Sequence, residues 1–311
     1  MSIVAEAPGY LQVLSDGSVK RFAPEIASAS DESPNGFKSK DVVIDTSKPI
    51  TARIFFPHTP TSSSPLPLVV YFHGGGFCIG STTWLGYHRF LGDFSVASQS
   101  IVVSVDYRLS PENRLPVAYD DCYTSLEWIL SSYQDKSEPC LDRADLSRVF
   151  LSGDSAGGNI AHNVAMNAIS NAFDHVKIRG LLLIHPYFGS EKRTEHEMAR
   201  EAAGDVAMND MFWRLSIPEG SNRDYFGCNF EKAELSTARW REFPGVVVYV
   251  ASLDFLKERG VMYAQFLQKK GVEVVKLVEA EGESHVFPVF YPESEATRLL
   301  QRQMTDFIKS F

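Results

Sequence analysis

The stretch GDSAGGN, residues 153–159, lies between the apolar run VFLSG (149–153) and a helical pattern. Gly153 precedes Ser155 by two positions, and Gly157 follows it by two. Glycines at these positions let a strand turn sharply into a helix without Cβ clashes, and a helix N-terminus favours developing negative charge. The stretch therefore predicts a strand–turn–helix unit that presents Ser155 as a nucleophile. The alternative is a glycine-rich turn with an idle serine.

Short β-branched runs alternate with helical patterns on both sides of this turn. The runs are LVVYF (68–72), IVVSVDY (101–107), VFLSG (149–153), GLLLIHPY (180–187), GVVVYVAS (245–252) and VEVVKLVE (272–279). The helical patterns include residues 119–133, 159–172, 258–271 and 294–311. This alternation predicts an α/β fold with a parallel sheet whose strands are buried on both faces.

Two further segments complete the predicted organisation. The N-terminal stretch contains a strand pair around Asp16-Gly17 (10–22) and a second pair within residues 41–57. Residues 189–243 form a long insertion between two strands, and insertions of this size usually cover the site above the strand ends. We expect one domain over residues 1–311, with two domains as the alternative.

Composition and charge exclude several classes of protein. The chain has 311 residues and a formal net charge of -9, which argues against nucleic acid or an anionic membrane as a partner. We find no signal or transit peptide and no apolar run of the length of a membrane span. The four cysteines lack CxxC spacing, so we predict no zinc site and a reducing compartment, cytoplasmic with a nuclear share possible.

A second glycine motif, HGGGF (73–77), follows the LVVYF run. Acyl transfer passes through a tetrahedral oxyanion, which backbone amides of such a loop and the amide after the nucleophile can stabilise. We predict an oxyanion hole at Gly74, Gly75, Gly76 and Ala156, in which the amides of Gly75, Gly76 and Ala156 are the donors and Gly74 gives the turn its freedom. The alternative is a plain glycine turn.

A serine nucleophile needs a base and an orienting acid, in the chain order serine, acid, histidine. Of eight histidines, His285 follows the last predicted strand, where a base would lie over the serine. Asp254 comes just after the preceding strand and is the predicted acid. Glu258 is its competitor, and a helix N-cap is the alternative role of Asp254.

Other residues give weaker signals. Asp154 is predicted to support the HGGG loop at the edge of the pocket, while His185 either touches substrate or is a satisfied core histidine. Residues 106–108 and 111–112 are predicted to form a structural polar cluster. An apolar substrate pocket is predicted from aromatic residues near the motifs, if they face inward: Phe77, Trp84, Phe188, Phe212, Trp213 and Phe287.

Several stretches together resemble the plant carboxylesterases, in the hormone-sensitive-lipase-like branch of the α/β-hydrolase fold. They are SDGSVKRF, YFHGGGF, SVDYRLSPENRLPVAYDD, GDSAGGNIAH, HPYFGSEKRTEHE, WRLSIPEGSNRD and SHVF, which extend over nearly the whole chain. The resemblance implies a mostly parallel eight-stranded sheet flanked by helices, with a cap from about residues 1–40 and 189–243. It also implies cofactor-free hydrolysis of small carboxylic esters by Ser155, Asp254 and His285.

The same family contains members that do not hydrolyse esters. Gibberellin receptors look like this fold without the catalytic histidine, so the presence of His285 counts against a receptor. Dehydratases and cyclases on this scaffold remain an alternative to a serine carboxylesterase. We expect a small-molecule ester as substrate, no nucleic acid or membrane partner, and a monomer or weak homodimer.

Overall fold

The structure is a computed structural model that describes residues 2–61, 63–173 and 175–311. Within these residues, a small antiparallel sheet contains β1 (Ile3–Ala7), β2 (Leu11–Leu14) and β3 (Val19–Arg21). The large sheet contains eight described strands: β4 (Phe37–Asp45), β5 (Ile50–Pro57), β6 (Leu66–Phe72), β7 (Ile101–Asp106), β8 (Ala144–Asp154), β9 (Ile178–Ile184), β10 (Gly245–Ala251) and β11 (Val275–Ala280).

The strand order of the large sheet is β11-β10-β9-β8-β6-β7-β5-β4. Neighbours from β11 to β7 are parallel, whereas β5 and β4 pair antiparallel at one end. The predicted, mostly parallel α/β sheet is therefore confirmed. Burial on both faces holds for β6 and β10 but is wrong for β11, because this edge strand has one neighbour and leaves Leu277 exposed.

Helices cover both faces of the sheet. Those described are α1 (Leu85–Ser98), α2 (Val117–Asp135), α3 (Ala156–Ser170), α4 (Glu195–Met198), α5 (Ala203–Ser216), α6 (Thr237–Arg241), α7 (Lys257–Lys270), α8 (Phe287–Phe290) and α9 (Glu295–Lys309). Short 3-10 turns lie at Pro139–Leu141, Arg200–Ala202 and Phe230–Lys232. The four predicted helical patterns correspond to α2, α3, α7 and α9.

Successive side chains of β6 point into two different cores, one on each face of the sheet. Leu68 and Val70 pack on the face covered by α2, α3 and α7, and Val69 and Tyr71 pack on the face covered by α1 and α9. A strand with period two sends successive side chains to opposite faces. The predicted strand is thus apolar at every position because both of its faces are covered.

The cap is formed by β1–β3 and α5, and it lies beside the HGGG loop. Leu11 and Val13 of the hairpin pack on Leu215 of α5 and on Cys78. The predicted hairpin is present, with Gly17 at φ +84° in its turn. The N-terminal part of the cap ends before residue 40, because β4 already belongs to the large sheet.

The end of the long insertion is also not cap. Phe230, Trp240 and Phe243 are buried in the main core, where Phe230 and Trp240 pack against Phe266 of α7. Within the described residues, no helix is both long enough and apolar enough to cross a bilayer.

Candidate active site

The turn between β8 and α3 places Ser155 at the carboxyl edge of the sheet. Ser155 has φ +52° and ψ -118°, a strained conformation for a residue with a Cβ atom. A Cβ on Gly157 would lie 1.8 Å from the carbonyl oxygen of Phe72, and one on Gly153 would lie 2.4 Å from Gly157. Only glycine fits at these two positions, and the backbone N–H of Ser155 is fixed by a 2.8 Å bond to Ile184 O.

Three side chains form a continuous hydrogen-bonded chain at this edge. His285 Nδ1 lies 2.8 Å from Asp254 Oδ2, and His285 Nε2 lies 3.0 Å from Ser155 Oγ. A carboxylate can only accept, so Nδ1–H donates to Asp254 and the Nε2 lone pair faces the serine hydroxyl. This tautomer is the one that can take a proton from Ser155.

The carboxyl group of Asp254 has two partners. Its Oδ1 accepts from the backbone N–H of Leu256 at 2.8 Å, so the residue also fixes the turn before α7. The competitor Glu258 lies elsewhere and accepts from the backbone N–H of His196. Asp254 is therefore not the N-cap of α7, which is Leu256, but it faces His285 and fixes the preceding turn, whereas Glu258 lies outside the hydrogen-bonded chain.

Electrostatics favours the charged pair of Asp254 and His285. Burial raises the pKa of the Asp254 carboxyl, but the charge and hydrogen bond of His285 outweigh burial and hold that pKa below its ordinary value. Burial lowers the pKa of His285, and the facing Asp254 outweighs this and raises it above its ordinary value. The imidazole is still 37% exposed, so it faces the cleft from which a substrate would approach.

The HGGG loop presents amide groups beside Ser155. Gly75 and Gly76 have φ of +103° and +57°, and no hydrogen-bond partner for either amide occurs among the described residues. Ala156 is the first residue of α3, where an N–H has no partner within the helix. These three amides are free to bind an oxyanion.

Gly74 does not have the role predicted for it in the oxyanion hole. Its N–H donates to Asp154 Oδ1 at 3.0 Å and lies 2.9 Å from Tyr87 Oη, so it is not available to a substrate. A Cβ here would lie 2.2 Å from Asp154 Oδ2. Glycine is needed at this position for close approach to Asp154, whereas the turn obtains its freedom from Gly75 and Gly76.

Asp154 holds the loop from below. It accepts hydrogen bonds from Tyr71 Oη at 2.7 Å and Tyr87 Oη at 2.9 Å, besides that from Gly74. Burial raises its pKa, although the two tyrosine hydrogen bonds act in the opposite direction. The carboxyl group is therefore fully used in supporting the loop.

The polar cluster after β7 also acts on the loop's backbone. Tyr107 stacks on His73 with centroids 4.4 Å apart and donates to the His73 carbonyl oxygen. Arg108 pairs with the buried Asp121 through both carboxylate oxygens. These contacts match the structural role predicted for residues 106–108.

A cleft of about 310 Å³ opens above the serine. Of the predicted pocket residues, Trp84, Phe212 and Asp154 line it. Further side chains that the sequence analysis did not select also line it: Tyr10, Ile79, Tyr87, Tyr187, Asp205, Met208, Asn209, Phe255, Leu256, Val286, Val289 and Phe290. A lining of this kind suits a largely apolar ligand.

Four predicted pocket aromatics lie in the protein interior instead. Trp213 stacks on Tyr187 at 4.3 Å and contacts Phe77, while Phe188 stacks on Tyr263 at 4.6 Å. Phe287 is buried in the core on the other face of the sheet. The prediction that Phe77, Phe188, Trp213 and Phe287 form the pocket is wrong, because each fills a core between elements.

His185 lies beneath the hydrogen-bonded chain of Asp254, His285 and Ser155 and outside the cleft. Its Nδ1 accepts from the backbone N–H of Val286 at 2.8 Å and lies 3.9 Å from Asp254 Oδ2. Burial lowers its pKa to about 3, so the ring is neutral. The prediction that His185 touches substrate is therefore wrong. The residue instead supports the loop that carries His285.

His185, Asp254 and His285 are the described residues whose ligand-type atoms come close enough for a metal ion, within 4.8 Å of one another. The atoms concerned already hydrogen-bond to each other and to Val286. The proximity of the three residues is thus explained without a metal ion.

Comparisons with known proteins place this geometry in context. Residues 69–289 match a family described as having the alpha/beta hydrolase fold. The chain is 38% identical to probable carboxylesterase 6 of Arabidopsis thaliana, over 92% of this chain and 85% of that protein. It is 34% identical to the chloroplastic tuliposide A-converting enzyme 1 of Tulipa gesneriana, over 99% of this chain and 78% of that protein.

Solved structures give the same fold. An esterase of Pyrobaculum calidifontis superimposes with a TM-score of 0.74 at 28% identity, covering 88% of this chain and 85% of that one. The carboxylesterase EstE1 from a metagenomic library superimposes with a TM-score of 0.74 at 29% identity, covering 88% of both chains.

Proposed function

The chain belongs to the plant carboxylesterase family of α/β hydrolases, and on that premise we propose that it hydrolyses small-molecule carboxylic esters through Ser155, His285 and Asp254. The observation that carries this proposal is the hydrogen-bonded chain from Asp254 through His285 to Ser155, directed into the cleft beside unpartnered loop amides.

The reaction begins when a substrate carbonyl oxygen enters the loop. His285 Nε2 takes the proton of Ser155, whose Oγ attacks the carbonyl carbon. The amides of Gly75, Gly76 and Ala156 stabilise the oxyanion, and Asp254 stabilises the imidazolium. The imidazolium then protonates the departing alcohol, which leaves an acyl group on Ser155.

Water completes the cycle. His285 removes a proton from a water molecule that attacks the acyl-enzyme, and the acid is released as the serine recovers its proton. The largely apolar lining of the cleft lowers the local dielectric constant, which strengthens the oxyanion contacts. No step of this sequence needs a group other than the side chains and amides named.

The proposal is tested by labelling and turnover together. Wild type, Ser155→Ala and the control Ser147→Ala are incubated with a serine-directed organophosphate, and intact masses are measured beside hydrolysis of p-nitrophenyl esters. Ser147 is an exposed serine at the other end of β8, so its variant controls for loss of a hydroxyl. We expect one adduct and ester turnover in wild type and Ser147→Ala, and neither in Ser155→Ala.

A different result identifies the alternatives. Ester turnover that survives Ser155→Ala contradicts the acyl-enzyme mechanism. A wild type that neither labels nor turns over esters contradicts hydrolysis itself and would favour a dehydratase, a cyclase or a receptor. Against a receptor stands the position of His285, which is hydrogen-bonded to the serine.

Location, domain number and assembly stay predictions. Several relatives are named as chloroplastic or amyloplastic proteins. We keep the cytoplasm, a single domain and a monomer or weak homodimer as proposals for this chain.

A further inference from the structure

The charges around the cleft are all acidic except for His285. Among the described residues that line it, none is lysine or arginine, and the carboxylates belong to Asp154, Asp205 and Asp254. Asp154 and Asp254 are buried and fully used by their hydrogen-bond donors. Asp205 is exposed and has no ion pair or hydrogen bond within the described part of the chain.

A second acceptor lies one helical turn from Asp205. Asn209 is 5% exposed and lines the cleft, and its side-chain Oδ1 has no hydrogen-bond partner among the described residues. Its backbone carbonyl is used, since it accepts from Tyr187 Oη at 3.0 Å. The Oδ1 atom is itself shielded from the cleft, and leaving a buried acceptor without a donor is unfavourable, so a rotation of the side chain that brings Oδ1 to a donor on a bound molecule would be favoured.

The position of α5 sets the distance of these acceptors from the ester. Phe212 lies directly over the HGGG loop, because a Cβ on Gly76 would be 2.7 Å from its ring. Asp205 precedes Phe212 by seven residues on the same helix face, which corresponds to about 10 Å along the axis. Met208 lines the cleft between them.

Aromatic faces surround the same path. Tyr10 and Trp84 line the cleft with ring centroids 6.0 Å apart, and Phe255 and Phe290 line it as well. Aromatic faces attract cations, and a carboxylate nearby adds to that attraction. An anionic group would meet no lysine or arginine among the described residues that line the cleft.

We infer that the cleft selects esters that carry a protonated amine about 10 Å from the ester carbonyl. The ammonium pairs with Asp205 and, once the Asn209 side chain has rotated, donates its N–H to Asn209 Oδ1, while the intervening apolar chain packs on Met208 and Phe212. This inference rests on the proposed ester hydrolysis and adds a substrate class to it.

Three p-nitrophenyl esters of matched shape test the inference. They are the 8-(dimethylamino)octanoate, which is cationic, the 9-methyldecanoate, its neutral isostere, and the monoester of nonanedioic acid, which is anionic. The quantity measured is kcat/KM, corrected for spontaneous hydrolysis. We expect the order cationic, neutral, anionic in wild type, with the preference weakening as salt is added.

Variants of Asp205 test whether this carboxylate causes the preference for the cationic ester. Asp205→Asn is expected to lower the cationic-to-neutral ratio by about 2- to 5-fold, the range of an exposed ion pair, and Asp205→Lys to invert it. Glu201→Gln is the matched control, because it removes an exposed acid near the start of α5 that does not line the cleft. Its ratio is expected to equal that of wild type.

Asn209→Leu separates the hydrogen bond from the charge. We expect it to reduce the rate for the dimethylamino ester relative to the 8-(trimethylammonio)octanoate, because the latter has no N–H. Equal rates for the cationic and neutral esters in wild type, or a ratio unchanged by Asp205→Asn, would overturn the inference. Neither result would contradict the proposed ester hydrolysis. That proposal is contradicted only if the neutral ester is also not hydrolysed.

Discussion

Replacing His185 by phenylalanine tests whether the loop after β11 is held in place from below. The Nδ1 atom of His185 accepts the N–H of Val286, the residue directly after His285. Phenylalanine keeps a ring of similar size but has no acceptor. Val286 is 6% exposed, so water has little access to replace the lost partner.

The lost hydrogen bond sets the minimum magnitude, because phenylalanine is also disfavoured at the positive φ of +48° found at this position. A buried N–H that loses its acceptor costs about 1–3 kcal/mol. If the loop relieves this cost by moving, the catalytic arrangement is populated about 5- to 150-fold less, and kcat/KM falls by the same factor. The 3.0 Å separation between His285 Nε2 and Ser155 Oγ leaves little room for such a shift.

The matched control is His185→Asn. An asparagine oxygen can take the place of Nδ1, and asparagine tolerates the positive φ of +48° found at this position. We expect His185→Asn to recover most of the activity lost in His185→Phe. Both variants are compared by thermal midpoint, so that loss of folding is recognised separately from loss of rate.

The pH profile of kcat/KM distinguishes positioning from general stability. Asp254 raises the pKa of His285, so a loop that moves away from Asp254 lets this pKa fall. The acid limb of the profile should therefore shift to lower pH in His185→Phe. A variant with a lower thermal midpoint, a normal rate and an unshifted acid limb would refute the reasoning.

Three further outcomes follow from the site. Asp254→Asn removes the acceptor that sets the His285 tautomer, and we expect kcat to fall by about 10⁴-fold with the fold intact by circular dichroism; a loss below tenfold would contradict this role. In wild type, kcat/KM should fall as pH drops through the raised pKa of His285, above 6.5, because the protonated ring cannot accept from serine; a flat profile between pH 8 and 5.5 would exclude it as the base. Burial lowers the pKa of His162 to about 3, so the unfolded chain binds a proton that the folded chain does not, and stability should fall as pH drops below 6.5; melting midpoints compared with those of His162→Phe should show a weaker acid loss in the variant.

Most of the candidate site could be predicted from short local motifs in the sequence. Ser155 and the HGGG loop could be located because tight turns and close approaches demand glycine at fixed spacing, which one sequence displays directly. Asp254 and His285 could be located because parallel strands bring their carboxyl ends to one edge of the sheet. The role of Gly74 could not, because its need for glycine comes from Asp154, 80 positions away in the chain.

The pocket was harder to predict than the catalytic chain, and α5 shows why. Phe212 lines the cleft and its neighbour Trp213 is buried against Tyr187, although both are large aromatic residues in one helix. Successive residues of a helix point about 100° apart, so neighbours face different surroundings. One face of α5 packs on the core and another lines the cleft, so the hydrophobic periodicity of the helix could not show which of the two aromatic residues lines the cleft.

The proposed catalytic groups and the residues that line the rest of the cleft lie on different elements, so substrate preference can change without a change in the chemistry. The proposed catalytic groups lie on turns of the large sheet, where a glycine contact or a buried hydrogen bond fixes each one. Asp205 and Met208 belong to α5, and Tyr10 to the N-terminal segment, so they touch the cleft without contacting Asp254 or His285 in the described hydrogen bonds. Changes on α5 should therefore alter which ester is preferred while the acid limb set by His285 stays in place. A shift of that limb in Asp205→Asn would mean that the carboxylate acts on the imidazole itself, and the separation of specificity from chemistry would then fail.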